Sequence, residues 1–243
     1  MRAPTAALEQ FYSILRLQDP AKRDEFTRIC GHHKVVENAL LFVFLADFRR
    51  NDHLAQVLGG VRVIHGYTAL ALGLVDATLA AQNLSLAAES LGLGTCYIRM
   101  ALHRALAVCQ ALDLPRQALP LFGLAVGHPD QQPQLRPRLD LGLLVHTDVY
   151  RDPATAELER AIEDLGNASM GELPVHRSPQ EKRLFLKAVL GGAWWRQGET
   201  GHQVARAWNH DRARSRAKAG TGLRSGIVPC DPGHAQLPSC RAV

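Results

Sequence analysis

Two stretches of this chain carry residue types that could do chemistry. The first is Arg136-Pro137-Arg138, two guanidinium groups on either side of a proline. A guanidinium offers a rigid fork of N–H donors that matches phosphate oxygens, so the pair is a candidate anion site. The same residues also suit a surface turn of polyproline type with no ligand, and both readings stay open at this point. The second stretch is Tyr97-Ile98-Arg99-Met100, which follows a run ending in Gly92-Leu93-Gly94. Cys30, Cys96, Cys109, Cys230 and Cys240 are odd in number and widely spaced, with no CxxC. That pattern points to reduced thiols in a cytoplasm rather than to a disulfide framework or a zinc site. No catalytic side-chain set and no metal set is expected.

Several elements must position these residues. Residues 10–18 read as a strand. Asp19-Pro20 opens a helix that runs to about Cys30, where Gly31 ends it. Residues 38–48 hold a continuous apolar run that reads as a buried strand. Residues 49–60 are polar and read as irregular or partly helical. Residues 64–91 form one long helix, apolar nearly all round and dense in small residues: Ala69, Ala71, Gly73, Ala77, Ala80, Ala81, Ala87 and Ala88. It is expected to be central and covered on most sides, and two helices can pack closely along such a face. Thr95–Met100 reads as a short strand, 101–113 as a helix, Leu121–Val126 as a buried strand, Gly142–Val145 as a last strand and 154–165 as an amphipathic helix. Several links are too short for parallel crossovers, so a mixed or antiparallel sheet wrapped by helices is expected, of α+β class.

The chain has 243 residues, ample for a buried core. The apolar stretch from Tyr67 to Leu93 is broken by Asp76, Gln82, Asn83 and Glu89, which argues against a bilayer span. No secretory signal is read at the start. From residue 196 onward, eight basic and three acidic residues account for the whole formal charge of +5. The main domain is neutral overall. After about Asn209 the text turns rich in Arg, Gly, Pro and Ser without apolar period, and reads as a disordered, solvated tail. A nucleic-acid arm would need aromatics among its basic residues, and none interleave there.

Taken as a series, the motifs resemble the NADPH nitroreductase and flavin reductase branch of the nitroreductase-like, FMN-dependent oxidoreductases. The resemblance covers about residues 3–150. It rests on Asp47-Phe48-Arg49, Gln82-Asn83, Ala87-Ala-Glu-Ser-Leu-Gly-Leu-Gly94 and Tyr97-Ile98. Further along it rests on Leu114-Pro115, Leu119-Pro-Leu-Phe-Gly123, Gly127-His-Pro129, Arg136-Pro-Arg-Leu139, Val145-His146 and Tyr150. It implies a homodimer in which the long helix packs on its twin, with FMN at the interface. NADPH would reduce the flavin, which would then reduce a nitroaromatic, a quinone or another flavin. It implies no membrane and no nucleic-acid partner.

The resemblance also implies roles for particular residues. Arg136 and Arg138 would hold the FMN phosphate. Tyr97, Ile98, Arg99 and Met100 would run along the flavin ring, where the family usually has Tyr-Ile-Gly-Gly. His32 falls where a glutamine usually bonds the ring. Thr5 and Ala7 fall where the family has serines, and Ala7 retains only a backbone role. The family's upstream His-Arg-Ser segment has no counterpart in the sequence, so a truncated or degenerate member with weak or no flavin binding is the alternative. A third reading is a binding module acting through its basic tail. The expected organisation is an FMN-binding core at 1–165, an extension at 166–209 and a basic tail at 210–243.

Overall fold

The computed structural model describes residues 3–5, 9–31, 33–60, 66–131 and 138–168. The chain divides into two units, Met1–His210 and Asp211–Val243, and all the described residues belong to the first. The expected tail, and the extension beyond Ala168, lie outside them.

Four strands form one antiparallel sheet: β1 (Tyr12–Leu17), β2 (Leu40–Asp47), β3 (Gly94–Ile98) and β4 (Ala118–Gly127). Their order is β1-β2-β4-β3, so β1 and β3 are the edges. The two central strands are apolar at nearly every position because helices cover both faces. The register slips between Phe44 and Leu45, which pair with Phe122 and Pro120, so the extra residue is Leu121 of β4.

Helix α1 (Pro20–Cys30) begins as the sequence predicts. Asp19 Oδ1 accepts from Ala21 N at 2.9 Å and Pro20 takes the first helical position. It ends at Gly31, whose φ of 76° closes the helix with an N–H bond to Thr27 O. Its Arg23 guanidinium donates to the carbonyls of Leu17, Val36 and Ala39. This ties the short helix α2 (His33–Val36) and the approach to β2 onto the first strand. Phe26 of α1 is fully buried and approaches Gly123 of β4 so closely that an added Cβ would lie 3.0 Å from its ring. That contact places α1 on one face of the sheet.

Helix α3 (Arg49–Val57) follows β2 directly, and helix α4 (Gly66–Ser90) crosses the opposite face, touching all four strands. Most residues that α4 buries are small: Ala69, Gly73, Ala77, Ala80, Ala81, Ser85 and Ala88. They let the helix lie close on its own sheet. A Cβ on Gly73 would sit 2.7 Å from Ala46 Cβ and 3.1 Å from both Phe11 O and the Phe48 ring. The small face serves the chain's own sheet, and the larger Tyr67, Val75 and Leu86 are exposed on the other side. By length and composition α4 would suffice to cross a bilayer. Its packing across the sheet is that of a core helix.

Three expectations are corrected. The strand after α4 ends at Ile98; Arg99 is a turn and Met100 opens the short helix α5 (Met100–His103). The single helix expected over 101–113 is two, with α6 (Ala105–Ala111) beginning after a break at Arg104, whose φ and ψ of −117° and 30° are not helical. Gly142–Val145 is no strand. A 3-10 turn at Leu141–Leu143 forms instead, because Asp140 Oδ1 accepts from Gly142 N at 2.7 Å and folds the backbone locally. Helix α7 (Thr155–Ala168) closes the described part.

Candidate functional site

The edge strand β3 is short because Gly92 and Gly94 end α4 and reverse the chain. Gly92 adopts φ 75°, and Leu93 N and Leu91 N both bond back to Ala88 O. At Gly94 an added Cβ would meet Pro129 Cβ at 3.3 Å, so the segment after β4 lies against the start of β3. The two motifs Gly-Leu-Gly and Gly-His-Pro are therefore neighbours in space.

Tyr97 sits on the α4 side of β3. Its ring centroid is 5.4 Å from that of Phe122, which is 5.3 Å from that of Phe44. A row of three aromatic rings thus runs across β2, β4 and β3. The Tyr97 hydroxyl accepts from Ser85 Oγ of α4 at 3.3 Å, and 41% of the residue is exposed at the open edge. Ile98 points the other way and is wholly buried. Arg99 is exposed in the turn that follows. The outer backbone edge of β3 has no partner strand among the described residues, leaving a ladder of N–H and C=O groups open.

Thr5 does not present its hydroxyl outward. Its Oγ1 donates to Asp76 Oδ2 at 2.7 Å and accepts from Gln10 N at 3.1 Å. Asp76 Oδ2 also accepts from Phe11 N at 3.0 Å. Asp76 is fully buried in the middle of α4. In the sequence Asp76 reads only as a break in the apolar run, and Ser85 belongs to no motif.

Arg138 lies in the loop after β4 and is exposed. It lines a hollow of about 320 Å³ together with Asp140, Glu157, Arg160 and Asp164. The Glu157 carboxylate there is already engaged. Arg151 grips it at 2.8 and 3.1 Å and Ala154 N donates to it at 2.7 Å. Those bonds pull its pKa down to about 2. The described walls of this hollow come from the loop and α7 alone. Arg136, His32 and Ala7, and the side chain of Met100, lie outside the described residues.

Behind β3, His103 of α5 is buried, and its pKa is lowered first by burial and then by Arg99 and Arg104. Burial pushes the Cys30 thiol up to about 12 despite Arg104 nearby. The Cys30 thiol is therefore not poised as a nucleophile near neutral pH. Among the described residues no group of three or more His, Cys, Asp or Glu could hold a metal ion.

Comparison with known proteins bears on the family and the fold. The model of the "Nitroreductase family" matches residues 5–128. The chain is 40% identical over 151 residues to the FMN reductase (NADPH) of Bacillus subtilis, which is 61% of each chain. It is 38% identical over 154 residues to the NADPH-flavin oxidoreductase of Vibrio harveyi, 63% of this chain and 62% of that one. The chain thus matches about three fifths of the length of these relatives. Among solved structures, nitroreductase A from Vibrio parahaemolyticus superposes with a TM-score of 0.71 at 29% identity, covering 86% of this chain and 82% of that one. The antiparallel sheet, the helix crossing it and the matched span of more than half the sequence together lead to one conclusion: this chain belongs to the nitroreductase family.

Proposed function

We propose that the protein is an FMN-dependent oxidoreductase that takes its electrons from NADPH and passes them to a small acceptor such as a nitroaromatic, a quinone or a flavin. The observation that carries this reading is the likeness to the FMN reductase (NADPH) of Bacillus subtilis, beside a family match over residues 5–128. The residues present fit the group by the chemistry of their donors. A planar, phosphate-bearing cofactor needs a cation and a flat, partly apolar wall with hydrogen-bonding groups at its rim. Arg138 supplies an exposed guanidinium, Tyr97 and Phe122 an aromatic wall, and the open edge of β3 a row of backbone donors and acceptors.

When bound, FMN would supply the redox chemistry itself. The chain's own residues bind and orient. Arg138, with Arg136, would hold the phosphate through forked hydrogen bonds. The backbone from Tyr97 to Met100 would bond the ring's polar rim, and Ile98, buried behind it, keeps that edge in place. His32 would add a ring contact. Thr5 and Ala7 would contribute through their backbone, since the Thr5 hydroxyl is committed to Asp76.

The acting unit in this reading is a homodimer in the cytoplasm. Tyr67, Val75 and Leu86 are exposed on the outer side of α4, where a second copy would cover them. Residues 1–165 would form the cofactor-binding core. One observation favours a second reading, a family fold that holds flavin weakly. Arg99 stands where the family usually has glycine, beside the strand edge that the ring would follow.

The test is FMN titration followed by desalting. Retained flavin that NADPH bleaches supports the enzyme; protein that stays colourless with excess FMN overturns it. Arg138→Ala is expected to weaken FMN binding by about tenfold, the effect of losing a charged hydrogen bond.

A further inference from the structure

Helix α7 is amphipathic. Its apolar residues Leu158, Ile162 and Leu165 fall at i, i+4 and i+7 and make one stripe along the helix. Such a stripe stabilises a helix only when something covers it. Here the cover is partial: Leu158 is 44% exposed, and Ile162 and Leu165 are half-buried. Among the described residues no strand or other helix packs extensively on α7. The loop at 138–143 meets it from one side, across the hollow that Glu157, Arg160, Ala161 and Asp164 line. On the other flank of the stripe stand Glu159 and Glu163, one turn apart and both exposed. Neither has an ion-pair partner among the described residues.

The chain itself holds a segment that fits this face. It lies outside the described residues and is read from sequence alone, and it belongs to the same compact unit as α7, Met1–His210. Ser178 and Glu181 are spaced as a capping box, Pro179 suits a first helical position, and Gly191-Gly192 suit a helix end. These signals predict a helix over 179–190. Leu186, Val189 and Leu190 share one face of it, and Arg183 and Lys187 stand one turn apart beside that face. The ten residues 169–178 that join it to α7 include Gly171 and Pro174, and they readily bridge the about 8–10 Å between packed helix axes. A return of that length is antiparallel. With Glu163 opposite Arg183, the next turn of each helix sets Glu159 opposite Lys187. In that register Leu186, Val189 and Leu190 turn toward Leu158 and Ile162. Apolar pattern, charge and connection length thus agree on one pairing.

We propose that residues 179–190 fold back as a helix onto the exposed stripe of α7 in the same chain, forming an antiparallel helical hairpin. The hairpin braces the α7 wall of the hollow that holds Arg138. The rival occupant of the stripe is the same segment of a second copy.

The test uses the full-length protein. Hydrogen–deuterium exchange read by mass spectrometry would follow 179–190 in the native chain, in Glu159→Lys/Glu163→Lys, in Arg183→Glu/Lys187→Glu, and in the variant carrying all four changes. The native segment is expected to be protected. Each charge-reversed pair is expected to exchange about fivefold faster, the range for losing two exposed ion pairs, and the fourfold variant to regain most of the protection. Cysteine pairing then identifies which chain supplies the segment. Glu159→Cys/Lys187→Cys, oxidised and run on a denaturing gel without reductant, is expected to link within one chain, with the linked peptide identified by mass. Native 179–190 exchanging as fast as unprotected chain would overturn the proposal, as would a fourfold variant no better protected than either pair. A link formed only between two chains would overturn it in favour of the second copy, and no link between these positions would overturn it outright. If the charge variants do not fold, the native exchange and the cysteine pair decide.

Discussion

Gly73→Ala tests whether the small face of α4 is what sets the helix on its sheet. Two effects of opposite sign compete. Alanine is favoured over glycine inside a helix by about 1 kcal/mol, so helix propensity alone predicts a more stable protein. Packing predicts the reverse. The new Cβ would lie 2.7 Å from Ala46 Cβ, with Phe11 O and the Phe48 ring each at 3.1 Å. Carbon atoms rest about 3.5–4.0 Å apart, so the helix would have to lift by roughly 1 Å. None of these neighbours can swing aside: Ala46 has a single methyl, Phe11 O is backbone, and Phe48 is fully buried and stacked on Phe11 at 4.5 Å. Overpacking of this kind costs about 1–3 kcal/mol. Asp76 lies one turn further on, so lifting α4 also stretches its bonds to Thr5 and Phe11. The net expectation is a loss of about 1 kcal/mol for Gly73→Ala and a larger loss, about 3 kcal/mol, for Gly73→Val. Equilibrium urea unfolding of both variants would measure it. A Gly73→Ala protein more stable than the native one by the full propensity gain would refute the packing argument.

Other expectations follow from the same structure. Leu86→Glu places a charge on the outer side of α4; for the homodimer proposed above, sedimentation is expected to show a shift to monomer while far-ultraviolet circular dichroism stays unchanged. In native protein, Cys96 is exposed on β3 and is expected to alkylate readily, whereas Cys30, buried and with its pKa raised to about 12, resists; peptide mapping by mass spectrometry would compare them. FMN is expected to slow labelling of Cys96, its neighbour Tyr97 being a candidate cofactor contact. Glu157 has a folded pKa of about 2 against an ordinary 4.5. Its contribution is therefore fully present above about pH 4.5 and lost as pH falls toward 2, and a carboxyl-carbon NMR titration should place its midpoint near the lower value.

Much of the fold was legible because its signals are local. Asp19-Pro20 and Gly31 bound α1 through capping and a positive φ, which depend on the residues themselves. The buried strands β2 and β4 declare themselves as apolar runs too short for helices. The misreadings came where tertiary context decides. A stripe of small residues permits close approach but does not say to what, and here it approaches the chain's own sheet at Ala46 rather than a second helix. The apolar run Gly142–Val145 resembles a strand until Asp140 caps the backbone into a 3-10 turn. Arg104 breaks a helix without a glycine or proline to announce it. Of the proposed site, Tyr97 and Arg138 stand in motifs that the family resemblance picks out. Asp76 and Ser85 could not be found that way, because their importance lies in contacts 71 and 12 residues away in sequence, to Thr5 and Tyr97 respectively.

The central claim is that this scaffold holds a flavin that NADPH can reduce. The most direct measurement is the visible absorption spectrum of the full-length protein after incubation with FMN and desalting, before and after addition of NADPH without oxygen. The account predicts a retained oxidised-flavin band that NADPH bleaches and that a nitroaromatic or quinone restores. A protein that emerges colourless from excess FMN would contradict it, leaving the fold of the family without its chemistry.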